Sequence, residues 1–144
     1  MLPSELAYRK TAAESASGLI LLLSLYDTLA GDIRRAAIAE RRNDIAARCQ
    51  EVNHAFMVLA FLEDRITHGN GGDLAERLMC FYANLRRQLI TAQSKRSPEA
   101  LEDLMDSVLK IRKAWQQIEL RREAVAAKPG LAGITDHTSS SWSA

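Results

Sequence analysis

The sequence predicts an all-α protein: an antiparallel up-down four-helix bundle with an N-terminal segment packed over it and a flexible C-terminal tail. Three observations predict it. Alanine (22), leucine (19) and arginine (14) dominate the 144 residues, whereas valine, isoleucine and threonine together supply 19, so straight-chain helix formers outnumber strand formers. Prolines stand only at 3, 98 and 129, which leaves residues 4–97 without a strong helix breaker. Apolar residues recur at alternating steps of three and four, the period of one helical face.

The first helix is expected over about Ser17–Arg41, with a stripe of Leu22, Tyr26, Leu29, Ile33 and Ala37. Ile20, Leu21 and Leu23 point away from that stripe, so its first two turns are apolar all round and call for cover on several sides. Residues 1–16 are the candidate cover. The second helix follows an expected cap at Asn43 and runs through Ile45, Cys49, Val52, Phe56 and Leu59 to Leu62 and Ile66. After the turn Gly69-Asn70-Gly71-Gly72, the third carries Leu74, Leu78, Phe81, Leu85, Leu89 and Ala92 and ends near Gln93. The fourth opens at Ser97-Pro98-Glu99, which reads as an N-cap, a proline at the first helical position and an acid in the positive first turn. Its stripe is Leu101, Leu104, Val108, Ile111, Trp115 and Ile118, and it stops near Lys128-Pro129-Gly130. Short connections favour antiparallel neighbours, so residues 17–128 form the bundle and residues 129–144, with a Ser-Ser-Ser run, the tail.

Composition and motifs then exclude several functions. Nineteen basic against eighteen acidic residues leave a formal charge of +1, which marks no nucleic-acid binder. The apolar run from Leu19 to Tyr26 falls far short of the roughly 20 residues a membrane span needs, and Glu5 and Glu14 interrupt any secretory signal. Cys49 and Cys80 form no Cys-x-x-Cys pair and fit a reducing compartment, the cytoplasm, as small buried apolar groups. No phosphate loop, nucleophile elbow or Cys/His nucleophile arrangement occurs, so neither enzymatic activity nor a cofactor is expected. Glu51-Val-Asn-His54 has the spacing of carboxylate-bridged metal sites, but the second Glu-x-x-His is missing: Arg65 precedes His68 and Ile134 precedes His137. No metal site is expected. His54 reads as a solvated or hydrogen-bonded histidine; its rival role, phosphoacceptor of a phosphotransfer bundle, lacks the following lysine and glycine. Doubled basic residues from Arg34-Arg35 to Arg121-Arg122, interspersed with Glu40, Asp44, Glu99, Glu102, Glu119 and Glu123, read as solvated helix faces.

Three groups of residues carry a resemblance. Tyr8-Arg9-Lys10-Thr11 is followed by Ala16-Ser17 and by Leu21-Leu22-Leu23-Ser24-Leu25-Tyr26-Asp27; Gly71-Gly72-Asp73-Leu74-Ala75 precedes Leu78 and Tyr82; Ile111-Arg112-Lys113-Ala114-Trp115 closes the series. In this order, over about residues 8–120, the chain resembles the flagellar secretion chaperone FliS family, departing from its pattern at Gly18, Ser24, Thr28 and Arg77. The resemblance implies a cytoplasmic chaperone, without nucleotide, that holds the C-terminal segment of flagellin before export and prevents premature polymerisation. It also implies export-apparatus components as further partners, and a monomer or weak homodimer. By the same resemblance Tyr8 covers or gates the bundle, and Leu21, Leu22, Leu25 and Tyr26 line or shape the partner-binding groove. Leucines and a tyrosine at helical spacing also suit plain core, with Tyr26 and Asp27 then anchoring the N-terminal segment, and Phe81 and Trp115 belong to the core. A regulatory adaptor of the same ancestry, with another client, is the alternative.

Overall fold

With no proline between Pro3 and Pro98, the backbone stays helical wherever a turn sequence does not interrupt it. The computed structural model describes residues 3–67 and 71–127, except for the side chains at 3–5, 7–17, 122 and 126. They form α1 (Pro3–Arg41), α2 (Ile45–Thr67), α3 (Asp73–Lys95) and α4 (Pro98–Ala127), with no strand among the described residues. Successive helices pack side by side and α4 returns to α1, so the four close an antiparallel ring; α1 packs more extensively on α2 and α4 than α3 does.

α1 begins well before the expected start near Ser17. It has 39 residues, about 58 Å at 1.5 Å per residue, and Gly18 and Gly31 lie inside it. An isolated glycine costs a helix about 1 kcal/mol relative to alanine, too little to end one that has partners on both sides. The backbone of residues 3–16 therefore continues α1. The side chains through which residues 1–16 are expected to cover the bundle, Leu6 excepted, and the expected tail at 129–144 lie outside the described residues.

The α1–α2 and α3–α4 turns repeat one solution. Asn43 (φ 57°) and Arg96 (φ 52°) adopt the left-handed conformation just past each helix. The amides of Asp44 and Asn43 return to the carbonyls of Ala39 (2.9 Å) and Glu40 (3.0 Å), and those of Ser97 and Arg96 to Ala92 (3.1 Å) and Gln93 (3.2 Å). These are the paired bonds of a Schellman motif. The next residue then caps the following helix: Asp44 Oδ1 accepts the Ala47 amide and Ser97 Oγ that of Ala100, each at 3.1 Å. The cap of α2 is thus Asp44, one residue beyond the expected Asn43, because Asn43 occupies the left-handed position.

A buried polar cluster ties this end. Glu40 accepts hydrogen bonds from Arg48 Nη1 (2.6 Å) and Arg96 Nε (2.9 Å), and Arg96 Nη2 also donates to Asn43 Oδ1. Glu40 and Arg48 are buried, so Glu40 does not lie on a solvated face as its charge pattern suggests. The bond from Arg48, then that from Arg96, hold the Glu40 carboxyl below its ordinary 4.5 against the opposing effect of burial. Arg41 reaches from α1 to Glu102 on α4 at 2.7 Å.

Between the ends the helical stripes meet. Tyr26, Leu29 and Ile33 of α1, Val52, Leu59 and Leu62 of α2, Leu85 and Leu89 of α3, and Leu101, Leu104 and Val108 of α4 form one core cluster. Buried alanines at 30, 36, 55 and 92 let backbones approach. Inside the cluster the Tyr26 and Tyr82 hydroxyls share a hydrogen bond at 2.6 Å, and Trp115 Nε1 donates to the Tyr26 hydroxyl at 3.3 Å, which joins α1, α3 and α4. Phe81 and Trp115 pack partly buried against it, as expected of core residues. Cys80 is exposed, contrary to the expectation of a buried thiol, because α3 turns that side outward; Cys49 is half-buried.

Three measurements test these packing arguments. Leu89→Ala is expected to lower stability by about 2–5 kcal/mol in urea titration, since it empties a fully enclosed site. Burial, partly offset by the bonds from Tyr82 and Trp115, raises the Tyr26 hydroxyl above its ordinary 10.0; burial followed by the adjoining Tyr26 raises Tyr82 further. Their contribution is therefore complete below pH 10.0 and is lost as pH rises beyond it, so alkaline unfolding is expected to shift in Tyr82→Phe. Glu40 works in the opposite direction: its contribution is present above pH 4.5 and lost as pH falls, and Glu40→Gln is expected to flatten that acid limb of the melting-temperature profile.

Candidate partner-binding site

About two turns of α1, Leu19–Tyr26, concentrate more apolar residues than a single helical face can bury. Successive residues step about 100° around the axis, so Leu19 and Tyr26 face the core while Ile20 and Leu21 are carried to the outside. Ile20 is 59% and Leu21 46% exposed. Leu22 and Leu25 lie between these limits, half-buried and packed against the core cluster. Of the sequence-predicted positions, Leu21 is therefore accessible, Leu22 and Leu25 sit beneath it at the core margin, and Tyr26 is fully enclosed. Tyr8 lies on the helical backbone of α1, but its side chain falls outside the described residues.

Helix register places other exposed apolar residues at the same end. Asp32 of α1 meets His54 of α2 and Gly18 of α1 lies beside Arg65, so the Leu21 end of α1 runs beside the last turns of α2. Asp27 of α1 pairs with Arg112 of α4, which puts the end of α4 alongside as well. Phe61 on α2, Leu74 on α3, and Ile118, Leu120 and Val125 on α4 are all exposed. The stripes of α3 and α4 thus lose cover toward this end, although their spacing marks Leu74 and Ile118 as core positions. Asp27 bonds across to Arg112 Nη2 at 3.2 Å, so Tyr26 and Asp27 anchor α1 to α3 and α4.

A second concavity lies elsewhere. A groove of about 440 Å³ runs between α3 and α4, with Ala92, Ala100 and Leu104 on its floor and Arg87, Lys95 and Asp103 on its rim. None of the predicted partner-binding residues lines it. Among the described residues no three His, Cys, Asp or Glu side chains gather as a metal site, and no helix is long and apolar enough to cross a membrane.

Sequence reasoning missed one polar group altogether. Asp32 is 1% exposed, with Oδ2 2.6 Å from His54 Nδ1 and Oδ1 accepting Arg35 Nη2 at 2.7 Å. Its position three residues after Leu29 and four before Ala36 was the available signal, since that spacing shares a face with two core residues. Glu51, off the centre of the α2 stripe as its spacing suggests, accepts Arg35 Nε at 3.1 Å.

Comparison with known proteins fits this architecture. The family model described as flagellar protein FliS matches residues 3–122. Among curated relatives, the flagellar secretion chaperone FliS of Vibrio cholerae is 26% identical over 116 residues, covering 78% of this chain and 85% of the relative. That of Salmonella typhimurium is 26% identical over 110 residues, covering 76% and 82%. The match takes in α1, α2 and α3, α4 as far as residue 122, both clamped turns and the apolar end of α1, and by it the chain belongs to the FliS family of flagellar proteins.

Proposed function

We propose that the protein is a cytoplasmic export chaperone that binds the disordered C-terminal segment of flagellin, prevents premature polymerisation and holds the subunit for flagellar secretion. The observation that carries this reading is the surplus apolar surface of α1, where Ile20 and Leu21 stand exposed above half-buried Leu22 and Leu25. Covering a large aliphatic side chain is worth about 1.5–3 kcal/mol, so a client helix laid on this end gains several such terms. Ordering that client costs about 2–5 kcal/mol, which keeps a large apolar contact releasable without nucleotide hydrolysis. Two relatives named flagellar secretion chaperones support the same role.

In this reading Leu21 touches the client directly, Leu22 and Leu25 shape the surface beneath it, and Tyr26 fixes the pitch of α1 from inside. Tyr8 belongs to the stretch of α1 that covers or gates the bundle and shifts when the client binds. Export-apparatus components take over the loaded complex, and the free protein is a monomer or a weak homodimer.

Calorimetric titration with a flagellin C-terminal peptide tests the proposal. A 1:1 complex is expected, with a negative heat-capacity change and a gain of helical circular dichroism. Leu21→Asp is expected to weaken it by tenfold or more, about 1.4 kcal/mol, while leaving the melting temperature unchanged because Leu21 is not core. Absence of heat and of induced helicity across the titration would remove the reading.

A further inference from the structure

The chaperone reading leaves Asp32 and its partners without a task. Burying a carboxylate is costly unless it is paired, yet here both partners remain half in solvent: the His54 side chain is 50% and Arg35 55% exposed. The arrangement acts on the imidazole. Asp32 takes the Arg35 hydrogen on Oδ1 and the His54 Nδ1 hydrogen on Oδ2, which assigns the ring proton to Nδ1 and leaves the Nε2 lone pair on the opposite, outward edge. Arg35 is itself held by Glu51, so a guanidinium is fixed on the far side of the same carboxylate. Next to His54 on the outward side of α2, Met57 and Phe61 are exposed at steps of three and seven residues and form a shallow apolar surface with Ala60 and Asp64.

We propose that His54 Nε2 is a phosphoryl-acceptor site charged by an acyl phosphate. The Nε2 lone pair attacks phosphorus, the bond from phosphorus to the acyl oxygen breaks, the carboxylate departs with that electron pair, and an N–P bond forms. Nδ1 keeps its proton throughout, so the ring gains one positive charge, which the Asp32 carboxylate 2.6 Å away offsets as it develops. His54 is the nucleophile, and Asp32 is a positioning residue that acts through it. The site needs no bound client and is independent of the proposed capture of flagellin.

The chain carries its own controls in His68 and His137. The full-length protein is incubated with acetyl phosphate, and in a parallel arm with a receiver domain phosphorylated on aspartate. Acid-labile phosphohistidine is followed by phosphorus NMR and assigned to residues by mass spectrometry. His54 is expected to be labelled roughly tenfold faster than His68 or His137, and Asp32→Asn to slow His54 by a similar factor without affecting the other two. Faster labelling by the receiver domain identifies a protein donor, and labelling by acetyl phosphate alone a metabolite donor. Equal labelling of the three histidines, or none at His54, would overturn the proposal, and that comparison within the unsubstituted protein decides the matter even if Asp32→Asn fails to fold.

Discussion

The structure depends on one helix serving two neighbours at once. α1 buries Tyr26, Leu29, Ile33 and Ala37 between α2 and α4, and every other helix reaches the core through contact with that stripe or with a helix that touches it. Small side chains on α1 allow this, because Ala30, Ala36 and Ala37 admit the facing backbones where leucines would hold them apart. The Tyr82–Tyr26–Trp115 chain of hydroxyls and indole then sets how far α1 can rotate, since turning it would strand enclosed polar groups without partners.

The two ends of the bundle are secured by different physics. At the turns joining α1 to α2 and α3 to α4, closure is polar and directional: Glu40 collects two guanidiniums, and caps satisfy the helix termini. At the opposite end, the ion pair of Asp27 with Arg112 is followed by leucines and isoleucines with incomplete cover. Directional bonds resist exchange with a guest, whereas non-directional apolar contact accepts any chain of suitable pattern. This division suits a protein that must stay folded while part of its surface changes occupant.

Much of the fold was legible in the sequence because each helix carries a period of 3.6. The stripes Val52–Leu59–Leu62 and Leu101–Leu104–Val108 lie in the core as their spacing requires. The start of α1 was not legible, since Gly18 resembles a break and only tertiary partners reveal that it is tolerated. Asn43 and Asp44 are both plausible caps by residue type, and only the left-handed φ of Asn43 assigns the role to its neighbour. Glu40 sits among alternating charges and looks solvated; its burial follows from Arg48 and Arg96, eight and fifty-six residues away. The candidate site shows the same limit: the family resemblance groups Leu21 with Tyr26 as groove positions, and the packing of Tyr26 against Tyr82 and Trp115 separates the sealed tyrosine from the outward leucine.

Arg96 illustrates a conflict that the molecule resolves in favour of the whole. A left-handed backbone is uncomfortable for a residue with a Cβ, and glycine is the usual occupant of such a helix end. Glycine there would relax the chain locally but would erase the arm that reaches Glu40 and Asn43, the latter itself left-handed at the sister turn. The two bends are therefore stitched to each other through the residues that each finds awkward, so neither loop is free to drift toward its own easiest sequence without loosening the other.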